Sequence, residues 1–158
     1  MAAKKSVLFV CTGNTCRSPL AEALFRDAVK DRDDFEVASA GVSAYPGSPM
    51  SGESMAILQK RGVDPGEFLS QPVSDELLAE ATHVFAMTGG HLAALHSKWP
   101  EHEDKFYLMC EFVDLPGRGI GADVPDPIGM GRKAYEEVEK TFDAAIPTLI
   151  AFIDQTSA

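Results

Sequence analysis

Val7-Leu8-Phe9-Val10-Cys11-Thr12-Gly13-Asn14-Thr15-Cys16-Arg17-Ser18-Pro19 is the stretch on which the fold turns. Val7–Val10 is a continuous apolar, β-prone run, the pattern of a strand buried on both faces. The run stops at Cys11-Thr12-Gly13-Asn14. A helix is predicted to open at Ser18-Pro19, because serine is a favoured N-cap and proline suits the first helical position. Leu20, Leu24 and Ala28 then recur with helical spacing, with Glu22, Arg26 and Lys30 among the polar positions.

Outward from this unit the alternation continues. Phe35–Ser39 reads as a second strand, Gly41–Pro49 as a long loop, and Glu53–Lys60 as a helix closed by Gly62. Ser74–Ala81 reads as a short helix capped by Ser74, and His83–Met87 as a third strand. His91–Lys98 is another predicted helix and Lys105–Cys110 a fourth strand. The Pro- and Gly-rich stretch Leu115–Gly131 is longer than most connections, and long loops in compact domains are often functional. The last helix carries Val138, Phe142, Ile146, Leu149 and Ile153 on one face, with Pro147 expected to kink or divide it. Strands alternating with helices imply an α/β fold, a parallel sheet with helices on both faces. Ligands of such sheets sit beyond the carboxyl ends of the strands, and Cys11 lies at that edge.

The 158 residues suit one domain, taken as 1–158, and an apolar share of 45% can bury a core. A net charge of −10 argues against a nucleic-acid partner and against an anionic membrane surface. The apolar run behind Met1-Ala2-Ala3-Lys4-Lys5 is too short for a leader, and no segment is long enough to span a bilayer. Cys11, Cys16 and Cys110 form an odd set without a disulfide framework, which suggests free thiols and a cytoplasmic location. The sequence leaves the oligomeric state open.

The segment Cys11–Ser18 carries the chemistry. Between a buried strand and a helix start, its backbone N–H groups converge at the positive end of a helix dipole, where an oxyanion fits. Gly13 and Asn14 are residue types that tolerate the left-handed backbone such a nest needs. The lysine and spacing of the nucleotide P-loop are missing. Cys11 would sit at the floor, where the N–H array and Arg17 favour thiolate over thiol. Arg17, beyond five intervening residues, can hold two phosphate oxygens in its planar fork. Ser18 is placed to donate to the sulfur as a leaving group. Singly, these are a buried thiol, a surface charge and a turn; in this order and place they describe a phosphate site with its own nucleophile.

Phosphoryl transfer through a thiolate also needs an acid for the leaving group and then a base for water. Val124-Pro125-Asp126-Pro127-Ile128 offers Asp126 between stiffening prolines, although an ordinary surface Asp in a proline turn reads the same way. Asp123, Asp114 and Asp104 are alternatives. His83, His91, His96 and His102 show no metal-ligand spacing with the cysteines and are assigned to no site.

The stretch VLFVCTGNTCRSPLAEALF, Val7–Phe25, resembles the low-molecular-weight protein tyrosine phosphatase family. The resemblance continues through Ser39-Ala40-Gly41, Gly47-Ser48-Pro49 and Asp126-Pro127 and covers nearly the whole chain. It implies a four-stranded parallel sheet flanked by helices, with no metal or cofactor. It implies phosphorylated protein substrates, with Cys11 as nucleophile, Arg17 as phosphate clamp and Asp126 as general acid, then base. Thr12, Gly13, Asn14, Thr15, Cys16 and Ser18 would complete the phosphate cradle, Asn14 holding its shape. Cys16 matches a neighbouring thiol that can pair reversibly with the nucleophile in the family; a buried spectator is the other reading.

Two features bear on the substrate. Family members acting on phosphotyrosine often carry an aliphatic residue where Thr15 stands and aromatic residues after the Asp-Pro. Here Asp126-Pro127 is followed by Ile128-Gly129-Met130-Gly131, which offers no ring. Met87-Thr88-Gly89-Gly90-His91-Leu92 and the loop Cys11–Pro19 are similar to the bacterial protein-arginine phosphatase branch. Thr15 can offer a hydroxyl to a slim guanidinium, Asp126 a proton to the departing nitrogen, and Asp123 a charge that favours the cation. Phosphoarginine is therefore the first reading, with phosphotyrosine beside it. A thiol-dependent arsenate reductase shares the loop but needs further cysteines, and only Cys110 lies beyond it. A non-catalytic phosphate reader would be expected to lack Cys11, Arg17 or Asp126, and all three are present.

Overall fold

Strand β1 (Lys5–Cys11) sends Val7, Phe9 and Cys11 into one hydrophobic cluster and Leu8 and Val10 into another, as the two-residue period of a strand requires. This alternation makes two apolar faces, so the sheet must be covered on both sides. The computed structural model of the chain describes residues 4–156; Met1–Ala3, which begin the stretch considered above as a leader, lie outside them, as do Ser157 and Ala158. β2 (Phe35–Gly41) pairs parallel to β1 from Lys5↔Phe35 to Cys11↔Gly41. β3 (His83–Ala86) pairs parallel on the other side, and β4 (Phe106–Leu108) adds an edge. The order β2-β1-β3-β4 makes a four-stranded parallel sheet, the α/β architecture expected from the alternation.

Helices α1 (Arg17–Ala28) and α2 (Gly52–Arg61) share the Phe9 face with the long C-terminal helix, residues 132–156. Phe25, Leu58, Phe142 and Leu149 are buried there, each contributing on the order of 1.5–3 kcal/mol. α3 (Asp75–Glu80) and α4 (Gly89–Lys98) cover Leu8 and Val10 with Leu78 and Leu95. Ser51, Ser74 and Thr88 cap α2, α3 and α4, and Gly62 closes α2 at φ 69°. The chain leaves β1 for one flank of the sheet and β3 for the other, which opens a crevice at their carboxyl ends. Among the described residues, no helix is long and apolar enough to cross a membrane.

The structure corrects several local expectations. Helix α1 starts at Arg17, with Cys16 at the N-cap and no side-chain cap bond, so Ser18 and Pro19 lie inside the first turn. Proline is tolerated there because the first four helical N–H groups have no internal acceptor. β4 is shorter than expected: a 3-10 turn, Pro100–Lys105, takes Lys105, and Met109-Cys110 lie beyond the strand. The long loop begins with a small antiparallel hairpin, β5 (Asp114–Leu115) with β6 (Gly119–Ile120). The last helix, α5 (Arg132–Thr156), runs undivided through Pro147. Pro147 and Asp143 are both on the exposed side, so the carbonyl deprived of its partner faces water.

Candidate active site

The loop after β1 is held from outside by its carbonyls. Those of Cys11, Thr12 and Thr15 accept the N–H groups of Val42, Ser43 and Ser51 at 2.9, 2.9 and 2.8 Å. Cys16 O accepts the Ser54 hydroxyl at 3.2 Å. Among the described residues, no protein acceptor takes the N–H groups of Thr12 to Cys16. A loop whose carbonyls are tied outward presents its amides inward, the arrangement of an anion nest.

Asn14 carries the strained backbone of this loop at φ 56°, and Gly13 is not in the left-handed region, so one residue of the expected pair makes the turn. The fully buried Asn14 side chain engages both its nitrogen protons and its oxygen. Its Nδ2 donates to Ser18 Oγ at 2.8 Å and Ser39 Oγ at 2.9 Å, and its Oδ1 accepts Gln71 N–H at 2.9 Å. The Ser39 hydroxyl donates in turn to Glu22 Oε1 at 2.7 Å. Gly41 backs the loop so closely that a Cβ there would lie 2.4 Å from Thr12 O, which explains glycine at the end of β2.

Cys11 is buried, and its Sγ lies 2.9 Å from Ser18 Oγ. Arg17 is 5% exposed, and its Nη1 donates to Val124 O at 2.9 Å. Val124 N–H in turn donates to Met87 O at 2.9 Å, so this peptide is pinned between β3 and α1. The pinning brings Asp126 Oδ2 to 3.9 Å from Arg17 Nη2, although the two are 109 positions apart in sequence (126 minus 17). Asp126 Oδ1 accepts Ile128 N–H at 3.1 Å, and the carboxylate stays open to solvent. Of the alternatives, Asp123 is engaged at the start of α4, accepting Gly89 N–H at 2.8 Å. Asp104 and Asp114 have no ion pair with Arg17 among the described residues.

Thr15 is half-buried, with its hydroxyl 3.7 Å from Cys16 Sγ, and Ile128 is 61% exposed. Cys16 Sγ contacts Tyr135 Oη at 3.3 Å; burial, then this contact, push the tyrosine up to about 12. All three cysteines are free, and burial pushes the Cys110 thiol up to about 11.

The sequence reading missed His91. It stands in the first turn of α4 with Nε2 2.7 Å from Thr12 Oγ1. Burial, reinforced by the Arg17 charge, lowers its imidazole to about 4 against the opposing Asp123 and Asp126. No short-range spacing announces this contact, because Thr12 lies in the loop after β1 and His91 in the helix after β3. His83 is structural: Thr82 and Thr156 hydroxyls lie 2.9 Å from its two ring nitrogens.

The family model described as low molecular weight phosphotyrosine protein phosphatase matches residues 6–158. A protein-arginine-phosphatase of Geobacillus stearothermophilus is 40% identical over 141 residues, 87% of this chain and 90% of that protein. The low molecular weight protein-tyrosine-phosphatase YfkJ of Bacillus subtilis is 33% identical over 95% of this chain and 96% of its own length. The crystal structure of a low molecular weight protein tyrosine phosphatase from T. tengcongensis, 39% identical, matches with a TM-score of 0.85 over 94% of this chain and 99% of that one.

Proposed function

The chain belongs to the low molecular weight phosphotyrosine protein phosphatase family, and from that premise we propose that it removes phosphate from phosphoarginine side chains of proteins through Cys11. The observation that carries the reading is the contact between Cys11 Sγ and Ser18 Oγ at 2.9 Å, at the floor of an amide-lined loop closed by Arg17 and Asp126.

In this reading the inward amides and the free edge of the Arg17 guanidinium hold the phosphoryl oxygens. The Cys11 thiolate attacks phosphorus, the P–N bond breaks, and Asp126 delivers its proton to the departing guanidine nitrogen. The phosphocysteine is then hydrolysed: Asp126, now a carboxylate, takes a proton from water, the water oxygen bonds to phosphorus, and the sulfur leaves. Ser18 donates to the sulfur as its negative charge returns. Three free thiols suit a reducing compartment such as the cytoplasm.

Phosphoarginine is favoured because Thr15 puts a hydroxyl into the loop and the exposed Ile128 offers no ring for a tyrosine. Phosphotyrosine is the second reading, supported by the tyrosine phosphatases among the relatives. The discriminating experiment compares phosphoarginine and phosphotyrosine peptides on the native protein and on Thr15→Ile. Native preference for phosphoarginine that falls in Thr15→Ile is expected. Native preference for phosphotyrosine, unaltered by the substitution, would reverse the assignment.

A further inference from the structure

The crevice between β1 and β3 joins two side chains whose segments leave the sheet on opposite flanks. Thr12 Oγ1, next in sequence to Cys11, is 2.7 Å from His91 Nε2, and His91 Nδ1 is 3.1 Å from Thr88 Oγ1. Thr88 Oγ1 also accepts the backbone N–H of His91 at 3.1 Å as the cap of α4. His91 is 7% exposed, and the charges that act on its ring are Arg17 from α1 and Asp123 and Asp126 from the loop before α5. An imidazole held at about 4 is neutral near pH 7, with one donor nitrogen and one acceptor nitrogen.

The burial of the two hydroxyls favours one tautomer, since Thr88 is half-buried and Thr12 exposed. Either tautomer leaves one threonine proton without a protein partner among the described residues; Nδ1–H would leave it on the half-buried Thr88, whose oxygen would then accept from both Nδ1 and the His91 backbone. With Nδ1 bare, Thr88 accepts from the backbone, donates to Nδ1, and leaves the imidazole proton on Nε2, facing Thr12 Oγ1. The Thr12 hydroxyl is then an acceptor toward His91, and its own proton is free to point elsewhere.

We propose that His91 is a positioning residue: its Nε2–H holds the Thr12 oxygen so that the Thr12 hydroxyl proton is offered to a phosphoryl oxygen of the bound substrate. The proposal rests on the phosphatase reading for its consequence, but the tautomer can be measured without any substrate. Long-range 1H–15N correlation on the native protein reads which ring nitrogen carries the proton. Protonated Nε2 with bare Nδ1 is expected. Protonated Nδ1 with bare Nε2 would make Thr12 the donor to His91 and overturn the proposal, whatever the enzyme hydrolyses.

Kinetics supply the second arm. His91→Ala is expected to lower kcat/KM for a phosphorylated peptide about tenfold, the effect of one misdirected hydrogen bond to a charged group. His91→Gln keeps an uncharged N–H donor near the Nε2 position and is expected to recover most of the loss. In a Thr12→Val background, which lacks the hydroxyl, the His91→Ala step is expected to have no further effect. Equal losses from His91→Ala with and without the Thr12 hydroxyl, or equal losses in the Ala and Gln variants, would overturn it.

Discussion

The Cys11 sulfur and the Ser18 hydroxyl oxygen are 2.9 Å apart, and Asn14 Nδ2 donates to the same oxygen at 2.8 Å. Because the serine oxygen already accepts from Asn14, its proton is directed at the sulfur. This explains why Ser18, within the first turn of α1, does not cap the helix: its hydroxyl is committed to tertiary partners. Ser18→Ala is expected to lower kcat about 10- to 100-fold by removing a donor to the leaving sulfur. Rapid-quench kinetics should show phosphorylated protein accumulating before steady turnover. A slower first step with no accumulation would place Ser18 in the attack instead.

Asn14 combines a left-handed backbone with three side-chain bonds inside the core. Asn14→Gly keeps the backbone free but removes the bonds, an expected loss of about 2–4 kcal/mol. Asn14→Ala adds a β-carbon penalty at positive φ, about 1 kcal/mol more. Urea unfolding of the two variants separates the contributions; equal stability would mean that the loop relaxes to another backbone.

The three thiols are expected to differ in their response to peroxide. Oxidation of Cys11 by peroxide gives a sulfenic acid, and its condensation with the Cys16 thiol would release water and form a disulfide. Cys110, fully buried and held up to about 11, should stay reduced. Peptide mass mapping checks both statements; sulfinic acid at Cys11 with Cys16 free would refute the pairing, and a disulfide involving Cys110 would revive the reductase chemistry.

Acid should cost stability through His91. Its folded value of about 4 lies below the ordinary 6.5, so the unfolded chain binds more protons between those limits. The stabilisation is complete above about pH 6.5 and is lost as the pH falls toward 4. Urea midpoints of the native protein and His91→Gln across that window should diverge by a pH-dependent difference. Parallel curves would contradict the buried neutral ring.

Much of this was legible from local pattern. The apolar run of β1, the serine cap of α3 and the glycine stop of α2 are signals carried by neighbouring residues, and the structure follows them. The departures occur where tertiary partners outbid a local rule. Ser18 has the local signature of a cap, but Cys11 and Asn14 claim its hydroxyl. The contact of His91 with Thr12 has no local signature, because the two residues are 79 positions apart. Pro147 breaks helices on average, yet here the orphaned carbonyl lies on the solvent side.

The covalent step is tested most directly with Asp126→Ala and an aryl phosphate whose leaving group departs without a proton. Attack by Cys11 then proceeds while water lacks its base, so the adduct should accumulate toward about one per chain. Rapid quenching and peptide mass mapping should find the phosphoryl group on Cys11. Release of phosphate with Cys11 unmodified at every time point would contradict the account.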